Sequence, residues 1–273
     1  MDTKPIIDTV SLTIKDLPAS LDFYQKNLGL HLHSNNGGKA LLGSAEKAFL
    51  ELVENPNAKR YRSVAGLYHF AVLLPTRVDL ARILRHLIEM QTPLQGLSDH
   101  GVSEAIYLPD PDGNGIEIYR DRPQDEWPTI NGELQMVTES LDVDGLLAEI
   151  DAKSNSFGEI PDKTYLGHIH LHVGKISNAE KFYTDALGFD LMQRYGNSAS
   201  FLSRNGYHHH IGINTWNGTG ASLHPDDAIG LRWFSLQGGD DLIARVKASD
   251  VGYEESQDGV FVHDPFGNGI MLK

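Results

Sequence analysis

The sequence predicts an α+β fold built from four βαβββ modules. Three observations carry that prediction: two pairs of internal repeats, an alternating stretch followed by an amphipathic one in each module, and no apolar run near the roughly 18 residues a membrane-spanning helix needs. The first repeat pairs LPASLDFYQKNLGL (Leu17 to Leu30) with ISNAEKFYTDALGF (Ile176 to Phe189), so that Phe-Tyr and Leu-Gly recur at the same offsets. The second pairs IYLPDPDGNGIEIY (Ile106 to Tyr119) with VFVHDPFGNGIMLK (Val260 to Lys273), where the shared Asp-Pro-x-Gly-Asn-Gly marks a tight turn entering a strand.

Each module then follows in order. Val10–Ile14 and Ile169–Val173 alternate as strands ahead of the two Phe-Tyr helices, and Gly29 and Gly188 stand where left-handed caps end those helices. Leu67–Leu74 with helix Val78–Met90, and Leu231–Leu236 with helix Asp240–Ser249, precede the two Asp-Pro turns. The modules are therefore read as 1–58, 64–121, 163–216 and 228–273. They form an N-terminal pair (1–121) and a C-terminal pair (163–273), joined by a linker over 122–162. That linker is rich in Pro, Asp, Glu, Gly and Ser and carries one short helix at Val143–Ile150. Residues 217–227 read as a long loop.

Composition narrows the chemistry. The chain has no cysteine, which removes thiolate metal sites, disulfides and cysteine nucleophiles, so any metal must be held by His, Asp or Glu. A formal charge of −14 disfavours nucleic acid and anionic membrane surfaces and favours small-molecule partners. The start, Met1 to Pro5, lacks the basic and apolar segments of a secretory signal, so the expected location is cytoplasmic. His168, His170 and His172 alternate with Ile169, Leu171 and Val173, which puts three imidazoles on one face of a strand and the apolar residues on the other.

Repeated βαβββ modules resemble the vicinal oxygen chelate superfamily, which includes glyoxalase I, antibiotic-resistance proteins and extradiol ring-cleaving dioxygenases. The resemblance covers nearly the whole chain. It implies two curved mixed-sheet cups, with a metal bound from the first and last strands of paired modules. The family pattern makes the ligands His69, Glu117 and His168. Ungapped alignment of the repeats sets Thr9 opposite His168, Trp233 opposite His69 and Met271 opposite Glu117, so the outer modules lack ligands. The second and third modules are therefore expected to share the metal cup. Two imidazoles and one carboxylate leave adjacent positions open on the metal, the arrangement of non-haem Fe(II) oxygenases. Fe(II) is the expected cofactor; Mn(II) and Zn(II) accept the same ligands.

The run HGVSEAIYLPDPDGNGIE, from His100 to Glu117, resembles the extradiol dioxygenase signature, with Ser98 as a departure just upstream. The resemblance implies a small aromatic diol and O2 as partners. It makes Tyr107 a hydrogen-bond donor at the substrate's ring oxygens, with His100 a second polar contact; Tyr107 becomes Phe261 in the other copy. Tyr207 to Asn214 resembles the His-bearing last strand that supplies the family's acid/base. His209 is the residue expected in that role, with His208 and His210 as alternatives under a shift of register. His170 and His210 are expected at the substrate, and Trp127, Trp216 and Trp233 are candidates for pocket walls. The exposed faces of such sheets can also pair into a homo-oligomer. Two other functions use the same fold: a glyoxalase-type lyase or isomerase, which needs a second carboxylate such as Glu51 near His69, and a non-enzymatic small-molecule binder.

Overall fold

A computed structural model describes residues 6–150 and 157–273; Met1–Pro5 and residues 151–156 of the linker lie outside the described residues. The first module runs β1 (Ile7–Ile14), α1 (Leu17–Lys26), β2 (His31–Asn36), β3 (Lys39–Gly43), β4 (Ala48–Glu54). The second runs β5 (Gly66–Leu73), α2 (Arg77–Glu89), β6 (Gly96–Asp99), β7 (Ser103–Pro109), β8 (Gly115–Asp121). Between the halves come β9 (Thr129–Ile130), β10 (Glu133–Leu134), β11 (Glu139–Ser140) and α3 (Val143–Leu147). The third module is β12 (Tyr165–His172), α4 (Ile176–Lys181), β13 (Asp190–Tyr195), β14 (Ala199–Ser203), β15 (Ile211–Asn214). The fourth is β16 (Gly230–Leu236), α5 (Gly239–Lys247), β17 (Tyr253–Ser256), β18 (Gly259–His263), β19 (Gly269–Leu272).

Local chemistry sets the helix limits. Asp16 caps α1 by accepting from the Ala19 N–H, and Thr76 caps α2 by accepting from Asp79, each satisfying a donor the first turn leaves open. In α2, Leu80, Ile83, Leu84 and Leu87 recur at the spacing that buries one face. Gly29 (φ +65°) and Gly188 (φ +69°) hold the left-handed conformation expected of helix caps. The Phe-Tyr segment of the third module departs from a plain helix: α4 gives way at Phe182–Ala186 to a wider π turn.

The strands form two large sheets. One has eight strands in the order β17-β18-β19-β16-β1-β4-β3-β2, the other nine in the order β11-β6-β7-β8-β5-β12-β15-β14-β13. Each sheet thus joins one module from each half of the chain: first with fourth, second with third. Within every module the first and last strands are parallel neighbours, and modules meet antiparallel at β1/β16 and β5/β12. The linker is also put to use, since β11 pairs with β6 and adds an edge strand to the second sheet.

The two sequence repeats prove to be bonded to each other. Asp110 accepts from the Asn114 backbone and side chain, both at 2.8 Å, closing its turn, and also from the Tyr24 hydroxyl at 2.9 Å. In the second half Asp264 accepts from Asn268 and, at 3.3 Å, from the Tyr183 hydroxyl. The tyrosine of one repeat motif thus docks on the aspartate of the other, tying the two modules of each half together. One contiguous apolar core, including Ile7, Phe49, Phe70, Ile169, Leu171 and Phe234, runs through all four modules.

Candidate metal centre and cavity

The seam between β5 and β12 positions the site. Strand register sets Tyr107 beside Glu117, Glu117 beside Ala71 and Ala71 beside His168, giving a row across β7, β8, β5 and β12. His69 lies two residues before Ala71, on the same face, and is opposite His170. Because the residue between Glu117 and His168 is only alanine, their longer side chains can meet above it. One possible ligand atom from each of His69, Glu117 and His168 lies within 4.8 Å of the other two, and all three residues are buried.

The donors fit a divalent cation. His168 Nε2 is 3.0 Å from Glu117 Oε2. His69 Nε2 is also 3.0 Å from that oxygen, yet it makes no aligned hydrogen bond and is left as a buried nitrogen without a partner. A buried ring nitrogen left without an aligned partner beside a carboxylate oxygen is an unfavourable arrangement for an apolar interior and a favourable one for a metal ligand. Burial pushes the His69 imidazole below its usual pKa, against the pull of Glu117, so the ring stays neutral. Burial alone would raise the Glu117 carboxyl, but the His168 and His69 imidazoles beside it hold it well below the usual range. The set is two nitrogens and one carboxylate oxygen, the donor types that borderline divalent metals take.

A cavity of about 310 Å³ opens over this cluster, and His69, Glu117, His100, Tyr107, His170 and His209 all line it. His100 Nδ1 is 2.7 Å from the Val137 carbonyl, which can only accept, so Nδ1 carries the proton. In the neutral ring Nε2 is then an acceptor, and the Tyr107 hydroxyl, 2.8 Å away, donates to it. Burial and the neighbouring Glu117 charge push the Tyr107 phenol well above its usual pKa.

His209 sits against the candidate ligand His168, ring centroids 4.1 Å apart. Burial, then the imidazoles of His168, His208 and His170, hold it well below the usual pKa. Its Nδ1 lies 2.8 Å from His208 Nδ1, and His208 Nε2 donates to Asp121 Oδ1 at 2.9 Å. With that proton committed to Asp121, His208 Nδ1 is the nitrogen left to accept from His209 when the His208 ring carries a single proton. His209 Nδ1 then donates, and its Nε2 is left as the free acceptor. Asp121 also accepts from the Tyr207 hydroxyl at 2.9 Å, and Tyr207 in turn meets the Tyr119 hydroxyl at 2.8 Å. A Cβ at Gly167 would fall 1.7 Å from that Tyr119 oxygen, so only glycine admits the Tyr119 ring beside His168.

Several expectations need correction. The last strand of the third module begins at Ile211, so His208, His209 and His210 precede it and do not alternate along it. Asn205 (φ +59°) and Gly206 (φ +74°) turn the chain just upstream, and regular pairing resumes only when the His210 N–H donates to the Leu202 carbonyl. His210 is absent from the cavity wall. It faces the turn instead, its Nδ1 accepting from the Arg204 N–H at 3.2 Å and meeting the Ser203 hydroxyl at 2.9 Å. Burial, with His208, His168 and Arg204 nearby, lowers its pKa to about 3. His172 bonds Asn214 and lines a separate polar cleft. Of the tryptophans, Trp216 lines the cavity, Trp127 packs on His208, and Trp233 belongs to the other sheet.

Other residues of the site carried no sequence signal. Met136, Val137 and Thr138, from the linker, form one cavity wall. Gln193 clamps that wall, donating to the Met136 carbonyl at 3.0 Å and accepting from its N–H at 2.6 Å. The Asp121–His208 support was equally hidden, because Asp121 is simply the last residue of a strand and only folding brings it to the histidines.

Two curved sheets of paired βαβββ modules, one of them carrying a two-histidine, one-carboxylate cluster under a cavity, define the class of protein to which this chain belongs. The family model described as "Glyoxalase/Bleomycin resistance protein/Dioxygenase superfamily" matches residues 6–118 and 165–272. The chain belongs to the glyoxalase/bleomycin resistance protein/dioxygenase superfamily. It is 44% identical over 276 residues to the catechol-2,3-dioxygenase of Bacillus subtilis (strain 168), an alignment covering 97% of this chain and 95% of the relative. It is 29% identical over 144 residues to the biphenyl-2,3-diol 1,2-dioxygenase 3 of Rhodococcus globerulus, covering 49% of this chain and 74% of the other. Glyoxalase I from Zea mays shares the fold, with a TM-score of 0.59 at 15% identity over 99% of this chain and 92% of that one.

Proposed function

We propose that this chain is a metal-dependent extradiol dioxygenase that opens the ring of a catechol-type substrate with O2, using Fe(II) held by His69, Glu117 and His168. The observation that carries the reading is the clustering of these three donors, with His69 and Glu117 lining the same cavity as His209 and the Tyr107–His100 pair. The 44% identity to a catechol-2,3-dioxygenase along nearly the whole of both chains supports the same reaction. Bound Fe(II) would supply chelation of the two neighbouring diol oxygens and an electron path to O2.

The protein's own groups account for the rest. His209, neutral and with Nε2 free, accepts a phenolic proton as the diol enters and returns it as the ring opens. Asp121 and His208 hold His209 in that tautomer. Tyr107, whose hydroxyl donates to His100 Nε2, turns that proton to a substrate oxygen when the diol binds, and His170 lines the same cavity. The apolar walls keep water from the reacting atoms.

The lyase or isomerase alternative is not favoured. Glu51, the carboxylate it needs, lies in the other sheet, bonded to Ser11 at 2.7 Å and paired with Lys39. The test is anaerobic loading with Fe(II), followed by catechol and O2. The expected result is one O2 consumed per yellow ring-opened product; no O2 uptake by iron-loaded protein would end the proposal.

A further inference from the structure

We infer that the substrate is a catechol bearing an uncharged, apolar substituent, and that carboxylated catechols are excluded. This deepens the dioxygenase reading and rests on it. The first ground is charge. Among the described residues no lysine or arginine lines the cavity, and the one formally charged residue in its wall is Glu117. The arginines of the surrounding strands are committed elsewhere: Arg120 to Glu104, Arg122 to Asp99, Arg194 to Glu180 and Arg204 to Asp241. The histidines are engaged within the site: both nitrogens of His100 are occupied by Val137 and Tyr107, and His209 Nδ1 is bonded to His208. A carboxylate on the substituent would leave water with no lysine or arginine in the cavity wall to pair with it.

The second ground is size and surface. An apolar cavity of about 150 Å³ is enough to hold benzene, and this one, at about 310 Å³, leaves room for a group beyond the catechol ring. Val102, Met136, Val137, Phe201 and Trp216 offer that group an apolar wall. The wall is fixed rather than loose, since Gln193 clamps the Met136 backbone in both directions. A formal charge of −14 on the whole chain adds a long-range bias against anionic substrates.

The experiment compares size-matched pairs on the iron-loaded full chain: 4-propylcatechol against 3,4-dihydroxyphenylacetate, and 3-propylcatechol against 2,3-dihydroxyphenylacetate. Two readouts are taken, kcat/KM in air and anaerobic Kd from quenching of tryptophan fluorescence. The alkyl compound of at least one pair should be favoured by about a hundredfold in both. Met136→Arg, which places a cation in the wall, should raise the carboxylated-to-alkyl ratio by about tenfold or more. Preference within threefold for both pairs, or a carboxylated compound binding tighter, overturns the inference. If no catechol is cleaved, the dioxygenase reading fails separately, and anaerobic Kd still decides whether the cavity rejects the carboxylate. Absence of binding by every compound also overturns the inference.

Discussion

The sheet shared by the first and fourth modules and the sheet shared by the second and third are built from the same parts in the same register. In the second sheet the row across the seam reads Tyr107, Glu117, Ala71, His168. In the first, Phe261 faces Met271, Met271 neighbours Ser235, and the Thr9 N–H donates to the Ser235 hydroxyl. The same lattice of strands therefore holds three groups suited to a metal and a substrate, with an alanine gap between two of them, in one cup, and four groups that bond or pack among themselves in the other.

Charge is handled differently as well. The first cup's buried carboxylates have fixed partners: Glu51 has Lys39 and Ser11, while Asp8 has Lys47 at 2.7 Å and Lys273 at 3.3 Å. Burial alone would raise Asp8, but those two lysines bring it below its usual pKa. Glu117 is buried with imidazoles and, among the described residues, no lysine or arginine partner. A cup that supplies its own cations is closed chemistry, and a cup that withholds one leaves a place for a metal.

Substitutions can break or sharpen this contrast. The largest effect belongs to Glu117→Gln, expected to bring metal content, read by elemental analysis, near background and ring cleavage down by about a thousandfold or more. Next is His209→Gln, which should leave iron content unchanged while the rate of a single turnover falls by about 10² to 10⁴. Ala71→Leu would fill the gap over which Glu117 and His168 meet. Iron affinity, measured by competition with a chelator, should weaken by roughly 10- to 100-fold, comparable to the loss of a supporting contact around a ligand. Tyr107→Phe gives the active row the residue its counterpart has at Phe261, and kcat/KM should drop by about tenfold with metal retained. The smallest functional change is expected from Glu51→Gln. It should leave iron binding and turnover as they are and lower stability by about 1–2 kcal/mol in denaturant unfolding, marking that carboxylate as structural.

Much of this was legible along the chain because repeats carry their own comparison. The family resemblance proposed His69, Glu117 and His168 as ligands, and aligning Thr9, Trp233 and Met271 with His168, His69 and Glu117 showed that the other copy lacks them. The triple histidine was harder. Alternation along a strand was a fair reading of His208 to His210, but the Asn205-Gly206 pair, itself a turn signal in the sequence, turns the chain and delays the strand. His210 consequently points at Ser203 and Arg204 rather than at a substrate.

The sequence by itself determined the four modules and the helix caps, since each depends on residue type and short-range spacing, and with the family pattern it supplied the candidate metal donors. Tertiary structure alone decided how Tyr24 finds Asp110, how Asp121 supports His208 and how a linker strand and Gln193 wall the cavity. Those contacts join residues tens of positions apart through single side chains. Their pairing is fixed by how sheets and modules pack, which no local periodicity records.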